Sequence, residues 1–182
     1  MKPGNQNDDA TPDALILLAA DHDQLKALFR QFDALRGKDN ADDAKAELVE
    51  QMCDALTLHS MLEEEIFYPA LRAAIDDEDL IDEADTEHAG VRDLIAQLEI
   101  MAPGDDLFDA TVSVLGEEVT QHIAHEEGDV YAAARRSDID LGALGAELTA
   151  RQATLAHALS PPARIDALTP HALAKRQPRA EN

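Results

Sequence analysis

The chain carries two copies of a residue pattern that is typical of metal-binding sites. Each copy has one histidine followed, further along the chain, by a histidine and a glutamate that are four residues apart. Residues at this spacing lie on the same face of an α-helix. Each pair would therefore present an imidazole and a carboxylate side by side. The six residues are His22, His59, Glu63, His88, His122 and Glu126.

The chemistry that these six residues support follows from where they sit in the sequence. All six fall at positions where the neighbouring residues of the same helix face are apolar, which predicts that they are buried. A buried carboxylate is costly unless a partner compensates its charge, and two facing carboxylates repel each other. A divalent or trivalent cation between them removes both penalties, so the pattern predicts a metal site.

The ligand types indicate which metal is preferred. A structural zinc site closes with four ligands, often including cysteine, whereas four imidazoles and two carboxylates suit iron or manganese better. Six ligands can hold two metal ions with positions left open for water, dioxygen or peroxide.

Four amphipathic helices must position these residues. In four segments the apolar residues recur every three or four positions, which predicts amphipathic helices. The segments cover residues 15–32, 48–66, 81–98 and 112–130. Short loops between them predict antiparallel neighbours. The predicted fold is all-α, an up-down-up-down four-helix bundle with an additional C-terminal helix and tail. Thr11 is expected to be the N-cap of the first helix and Pro12 its first residue. Pro69 is expected to kink or end the second helix near Tyr68.

The same patterns predict the domain organisation. The metal-binding bundle is expected over residues 11–136, the additional helix over 137–160, and a partly disordered, proline-rich tail over 161–182. The two halves of the bundle are an internal repeat, offset by 66 residues at His22 and His88 and by 63 at His59 and His122. Tyr68 and Tyr131 each follow their repeat's second histidine by nine residues.

Composition excludes several classes of protein. The net charge of −23 disfavours binding to nucleic acid or to an anionic membrane surface. One cysteine, Cys53, allows no disulfide within the chain, and neither a signal peptide nor a membrane-spanning stretch is evident. We expect a cytoplasmic protein, either a monomer or a homodimer.

At these residues the sequence resembles the hemerythrin family, specifically proteins with the HHE cation-binding domain. The resemblance rests on "DH" at Asp21, "HSMLEEEIFYPAL" from His59, "EH" at Glu87 and "HIAHEE" from His122. It implies a non-haem di-iron centre with oxo or hydroxo and carboxylate bridges. On that basis His22 and His59 bind one iron and His88 and His122 the other. Glu63 and Glu126 bridge the two irons.

One departure from the family pattern bears on function. Oxygen-carrying hemerythrins have a His-x-x-x-His pair on the third helix, whereas Arg92 stands four residues after His88 here. The sequence is more similar to the four-histidine subgroup. This implies binding of, or reaction with, oxygen, nitric oxide or hydrogen peroxide, including catalase-like peroxide decomposition, in stress response or sensing. The alternative is a metal- or oxygen-responsive interaction module without catalysis.

Several neighbouring residues have open roles. His125, three residues after His122, is a candidate additional ligand. Tyr68 and Tyr131 either hydrogen-bond a bridging carboxylate or only close the end of the bundle. Glu87 is a more remote candidate ligand, and because it precedes His88 it is expected to face solvent instead. Glu64, Glu65 and Glu127, which flank the ligands, are expected to form a solvated face.

Overall fold

A computed structural model describes the backbone over residues 12–159 and the side chains over residues 12–155. Seven α-helices and two π-helical turns follow one another along this part of the chain. The α-helices are α1 (Ala14–Asp33), α2 (Asp42–Leu62), α3 (Tyr68–Ala74), α4 (Glu78–Leu98), α5 (Phe108–His125), α6 (Tyr131–Arg136) and α7 (Leu141–Leu159). The π turns are π1 (Glu63–Phe67) and π2 (Glu126–Val130).

The four bundle rods are α1, α2–π1–α3, α4 and α5–π2–α6, and α7 is the additional C-terminal helix. α1 packs on α2, α4 packs on α5, and α7 lies against α1, α2 and π1. The predicted all-α, up-down-up-down bundle with an additional helix is confirmed. The predicted tail over residues 161–182 lies outside the described residues.

The first helix begins two residues later than predicted. Asp13 is its N-cap, with Oδ1 accepting a hydrogen bond of 2.9 Å from the backbone N–H of Ile16. A carboxylate at this position accepts a hydrogen bond from a helical N–H that has no partner within the helix. Its negative charge is also stabilised by the positive end of the helix dipole. Pro12 therefore precedes the helix, and the prediction of Pro12 as first helical residue is wrong. Thr11 lies outside the described residues.

The second rod does not end at its proline. Pro69 lies in the first turn of α3, where a missing N–H costs little. The irregularity comes before it, in π1, where the N–H of Tyr68 bonds to the carbonyl of Glu63. The same bond joins Tyr131 to Glu126 in π2, a segment without proline. Proline is therefore not the shared cause of the two π turns.

The core is divided by a polar layer. One apolar cluster includes Leu18, Phe67 and Leu71, and the other includes Leu25, Met52 and Leu115. His22 falls between Leu18 and Leu25 on α1, so the metal-ligand candidates lie where the two clusters meet.

α7 approaches the start of α1 closely because it has a glycine at the contact. A Cβ built on Gly145 would lie 2.2 Å from the carbonyl oxygen of Pro12. At a further contact, Arg151 donates two hydrogen bonds to Glu65, of 2.6 and 3.0 Å. Thus α7 is tied directly to π1. None of the described helices is both long and apolar enough to cross a membrane.

Candidate metal centre

The structure brings the six ligand candidates together in the middle of the bundle. The Nε2 atoms of His22 and His59 lie 3.1 Å apart, and those of His88 and His122 also lie 3.1 Å apart. Each of these pairs joins one histidine from each helix of one repeat. The histidines are at most 4% exposed and both glutamates are fully buried.

Each glutamate lies between the two histidine pairs. Glu63 Oε2 is 3.2 Å from Nε2 of His59 and 3.3 Å from Nε2 of His88. Glu126 Oε2 is 3.1 Å from Nε2 of His22 and 3.6 Å from Nε2 of His122. Each carboxylate is therefore close enough to contact a metal ion at either of the two histidine pairs. The atoms form two sets that could hold a metal ion, one of four residues and one of three, and Glu63 belongs to both sets.

The donor set fits a cation better than it fits hydrogen bonding. Within the described part of the chain, both oxygens of Glu63 and Oε2 of Glu126 have no hydrogen-bond partner. Buried carboxylate oxygens are normally satisfied. The histidine nitrogens lie near these oxygens without a suitable hydrogen-bond geometry, as expected when both groups point at a common centre.

A carboxylate faces the outer nitrogen of each histidine. Glu127 lies 3.1 Å from Nδ1 of His22, Glu64 lies 2.9 Å from Nδ1 of His88, and Glu87 lies 3.0 Å from Nδ1 of His122. Asp21 is the counterpart for His59, at a longer 3.7 Å. A carboxylate at Nδ1 draws the proton to that atom. The Nε2 lone pair is then left free to bind a metal.

The sequence did not reveal this outer layer. Glu64, Glu87 and Glu127 were expected on a solvated face, and that prediction is wrong for Glu87, whose side chain is 13% exposed. Glu64 and Glu127 are 36% and 39% exposed, yet each still reaches a histidine. The available signal was the repeat itself, because an acidic residue precedes His22 and His88 and also follows Glu63 and Glu126.

The two tyrosines differ in their contacts. The hydroxyl of Tyr68 donates a hydrogen bond of 2.7 Å to Glu126 Oε1, so Tyr68 contacts a candidate bridging carboxylate. Tyr131 stacks on His22 with a ring separation of 5.9 Å, and its buried hydroxyl has no partner among the described residues.

His125 lies outside the central group. Its Nδ1 is 3.1 Å from Glu87 Oε2, and its Nε2 is 4.0 Å from Glu83 Oε2. Glu87 therefore contacts both His122 and His125. The structure places His125 beside the outer carboxylates, whereas the six ligand candidates meet at the centre.

Comparison with known proteins agrees with this geometry. The family model "Hemerythrin HHE cation binding domain" matches residues 13–134, which is more than half of the chain. The chain belongs to the hemerythrin HHE cation-binding family.

Two individual proteins are similar to this HHE domain. A crystal structure of a hemerythrin HHE cation-binding domain-containing protein from Mycobacterium kansasii superposes with a TM-score of 0.69 at 23% identity, covering 81% of this chain and 89% of that one. A DNA nickase from Nostoc sp. (strain PCC 7120) is 27% identical over 121 residues, which is 66% of this chain. The chain spans about a third of that relative's length, 33%.

Membership in the HHE family establishes metal binding, typically of iron, as the property of this domain. The electrostatics of the centre agree with that property. Burial, and then the charge of Glu126, raises the pKa of Glu63. Burial alone would also raise the pKa of Glu126, but the close His22 imidazole and the charges of His122 and His59 outweigh it and lower that pKa.

Two histidines of this HHE domain, His59 and His88, favour the neutral form that metal binding requires. Burial is the largest cause, and it lowers the pKa of His59 against the opposing effect of Asp21. Burial and then the charge of His122 lower the pKa of His88 to about 4.

Proposed function

We propose that this HHE domain is a non-haem di-iron protein that binds or reacts with oxygen, nitric oxide or hydrogen peroxide. In this proposal His22 and His59 hold one iron, and His88 and His122 hold the other. Glu63 and Glu126 would be the carboxylate ligands that the two irons share, with an oxo or hydroxo group as the further bridge.

The position of the two buried glutamates carries the proposal. Each carboxylate approaches one histidine of each pair, and three of their four oxygens lack a hydrogen-bond partner among the described residues. Such oxygens are costly to bury unless a cation binds them. A cation shared by both glutamates also removes their mutual repulsion.

The protein's own residues would hold the centre in place. Iron there would supply exchange between ferrous and ferric states and open positions for a small ligand. The outer carboxylates fix the histidine rings through Nδ1. Tyr68 fixes one oxygen of Glu126 through the 2.7 Å hydrogen bond, and the two apolar clusters keep bulk water away from the bundle interior.

Metal analysis and an electronic spectrum test this proposal. We expect two irons per chain in the purified protein, with oxo-bridge charge-transfer bands that change when azide is added. His59→Ala and Glu126→Ala should each lower the iron content. His125→Ala is the matched control and should keep it, because His125 lies outside the central group. Full iron content in His59→Ala or Glu126→Ala would contradict the ligand assignment.

Reactivity is tested on the same iron-loaded protein. We expect a visible spectrum that responds to oxygen or nitric oxide, or the decomposition of hydrogen peroxide. Iron-loaded protein that does none of these would contradict the proposed function. The ligand assignment would still hold in that case, provided that His59→Ala and Glu126→Ala lower the iron content and His125→Ala does not.

A second candidate function is supported by the contact between α7 and π1. Arg151 of α7 donates hydrogen bonds to Glu65, which is two residues from Glu63 in π1. Iron binding to Glu63 would therefore change the stability of the contact between α7 and π1. The domain would then act as a metal- or oxygen-responsive interaction module. We expect amide hydrogen exchange in α7 to slow when iron binds. Equal exchange with and without iron would contradict this candidate.

We propose that nucleic acid is not a partner, since the net charge of −23 opposes contact with phosphates. Measurable binding of duplex DNA at physiological salt would contradict this, and the nickase relative makes that measurement worthwhile.

A further inference from the structure

An apolar cavity of about 110 Å³ lies beside the metal-ligand candidates, among residues of α1, α2, α4 and α5. The buried His59, His88 and His122 line it, and so do Glu64 and Arg92, whose side chains are partly exposed. The side lined by Glu64 and Arg92 is called its outer end. Most of the remaining wall is apolar: Leu25, Leu56, Val91, Ile95, Val119 and Ile123.

An ion pair stands at the outer end of this cavity. Arg92 donates to Glu64 Oε1, and the same oxygen lies 2.9 Å from His88 Nδ1. The Arg92 side chain is 51% exposed and that of Glu64 is 36% exposed. An exposed pair of this kind is weak, so it can open and close readily. Arg92 therefore has access both to solvent and to the carboxylate that orients His88.

We propose that this cavity is the access route for the small ligand and that the Arg92–Glu64 pair closes its outer end. This inference rests on the proposed function, because it assigns a route to the ligand of that centre. The route admits uncharged molecules of a few atoms, and the side chain at position 92 sets how fast they pass.

The lining of the cavity explains the preference for uncharged ligands. Moving an ion into a mainly apolar site without a compensating charge is strongly unfavourable. Oxygen, nitric oxide and hydrogen peroxide carry no charge. An anion must first separate Arg92 from Glu64 and then pass a mainly apolar wall that offers it no positive charge.

The internal repeat supplies a matched control for Arg92. Lys26 follows His22 by four residues, as Arg92 follows His88. Lys26 donates a hydrogen bond of 2.9 Å to Glu127 Oε1, which is 3.1 Å from His22 Nδ1. The two arrangements support a histidine in the same way, but Lys26 does not line the cavity. A change at Lys26 therefore removes the same kind of partly exposed ion pair without affecting the route.

Nitric oxide binding to the ferrous protein, followed by stopped-flow spectroscopy, tests the gate. Arg92→Gln should raise the association and dissociation rates together, by about two- to fivefold. This is the factor expected if opening the route no longer requires breaking an exposed ion pair. The equilibrium affinity should stay the same. Lys26→Gln should leave both rates unchanged. Iron content and the thermal midpoint, measured on each variant, should match the parent protein.

A second variant and a second probe complete the test. Thr57→Phe, at the half-buried wall of the cavity, should slow both rates. Association of azide with the ferric protein should rise about tenfold for each unit of pH lowered, because only the uncharged acid form would enter.

The outcomes separate the route from the proposed function. Absence of any nitric oxide spectrum in the parent protein would overturn the proposed function and the route with it. Nitric oxide binding with equal rates in Arg92→Gln and the parent would overturn the gate alone. Azide association that does not depend on pH would overturn the selection of uncharged ligands.

Discussion

At the scale of single residues, the centre is symmetric in its histidines and asymmetric in its tyrosines. Each of the four histidines has an acidic partner near its outer nitrogen. By contrast, Tyr68 bonds Glu126, while the hydroxyl of Tyr131 has no partner among the described residues. The repeat thus supplies a pair of tyrosines whose contributions to stability should differ.

Tyr68→Phe should destabilise the fold and Tyr131→Phe should not. Removing the Tyr68 hydroxyl takes a hydrogen bond from a buried carboxylate, which costs about 1.5–3 kcal/mol. Removing the Tyr131 hydroxyl takes away a buried group without a partner, which is neutral or stabilising. Urea unfolding of the two variants, at equal iron loading, measures the difference. Equal losses of stability would contradict the asymmetry.

The depressed pKa of His88 predicts a pH dependence of the metal-free protein. Its folded pKa is about 4 and its reference value is 6.5. The unfolded chain therefore binds this proton first, so the contribution of His88 to stability is present above pH 6.5 and is lost as the pH falls towards 4. Urea unfolding after iron removal should show stability falling in this window. His88→Gln should flatten that part of the curve, and an unchanged slope would contradict the assignment.

At the scale of helices, the π turns bring the tyrosines to the centre. Nine residues span about two and a half turns of an α-helix, so an uninterrupted helix would point Tyr68 away from the face of His59. A π turn takes one more residue than an α-turn and rotates the segment that follows. Both tyrosines are consequently 2% exposed and lie beside the ligand candidates.

The contact of α7 with α1 predicts opposite effects of two glycine substitutions in one helix. Gly145→Ala puts a Cβ 2.2 Å from the Pro12 carbonyl oxygen, so α7 must shift. We expect a loss of about 1–3 kcal/mol, as for other overpacked contacts. At Gly142 the nearest atom would be 3.4 Å away, and alanine should be neutral or stabilising there. Thermal unfolding distinguishes the two, and equal midpoints would contradict the close contact.

At the scale of the whole molecule, excess negative charge opposes folding. The net charge is −23, and self-repulsion of this kind destabilises a compact state. Salt screens the repulsion, so the thermal midpoint should rise as sodium chloride is added. Sucrose at matched osmolality serves as the control, because it stabilises without screening charge. A midpoint that falls with salt would show that the surface ion pairs outweigh the net repulsion.

The sequence alone determined the helices, their order and the six central residues. Apolar spacing of three and four residues fixes which face of each helix is buried, and the six polar residues interrupt that face at matched positions in both repeats. This local periodicity needs no knowledge of tertiary contacts. Even so, the start of α1 at Ala14 was missed, because both Pro12 and Asp13 suit a helix start.

Only the tertiary structure decided how the residues surrounding the six ligand candidates are used. Glu64, Glu87 and Glu127 each contact a histidine on another helix, and such pairings between distant segments leave no periodic signal. The π turns, the tie from Arg151 to Glu65 and the cavity behind Arg92 also depend on how the rods pack together. Helical periodicity sets which side of a helix a residue faces, whereas the partner it meets there depends on the packing of the whole bundle.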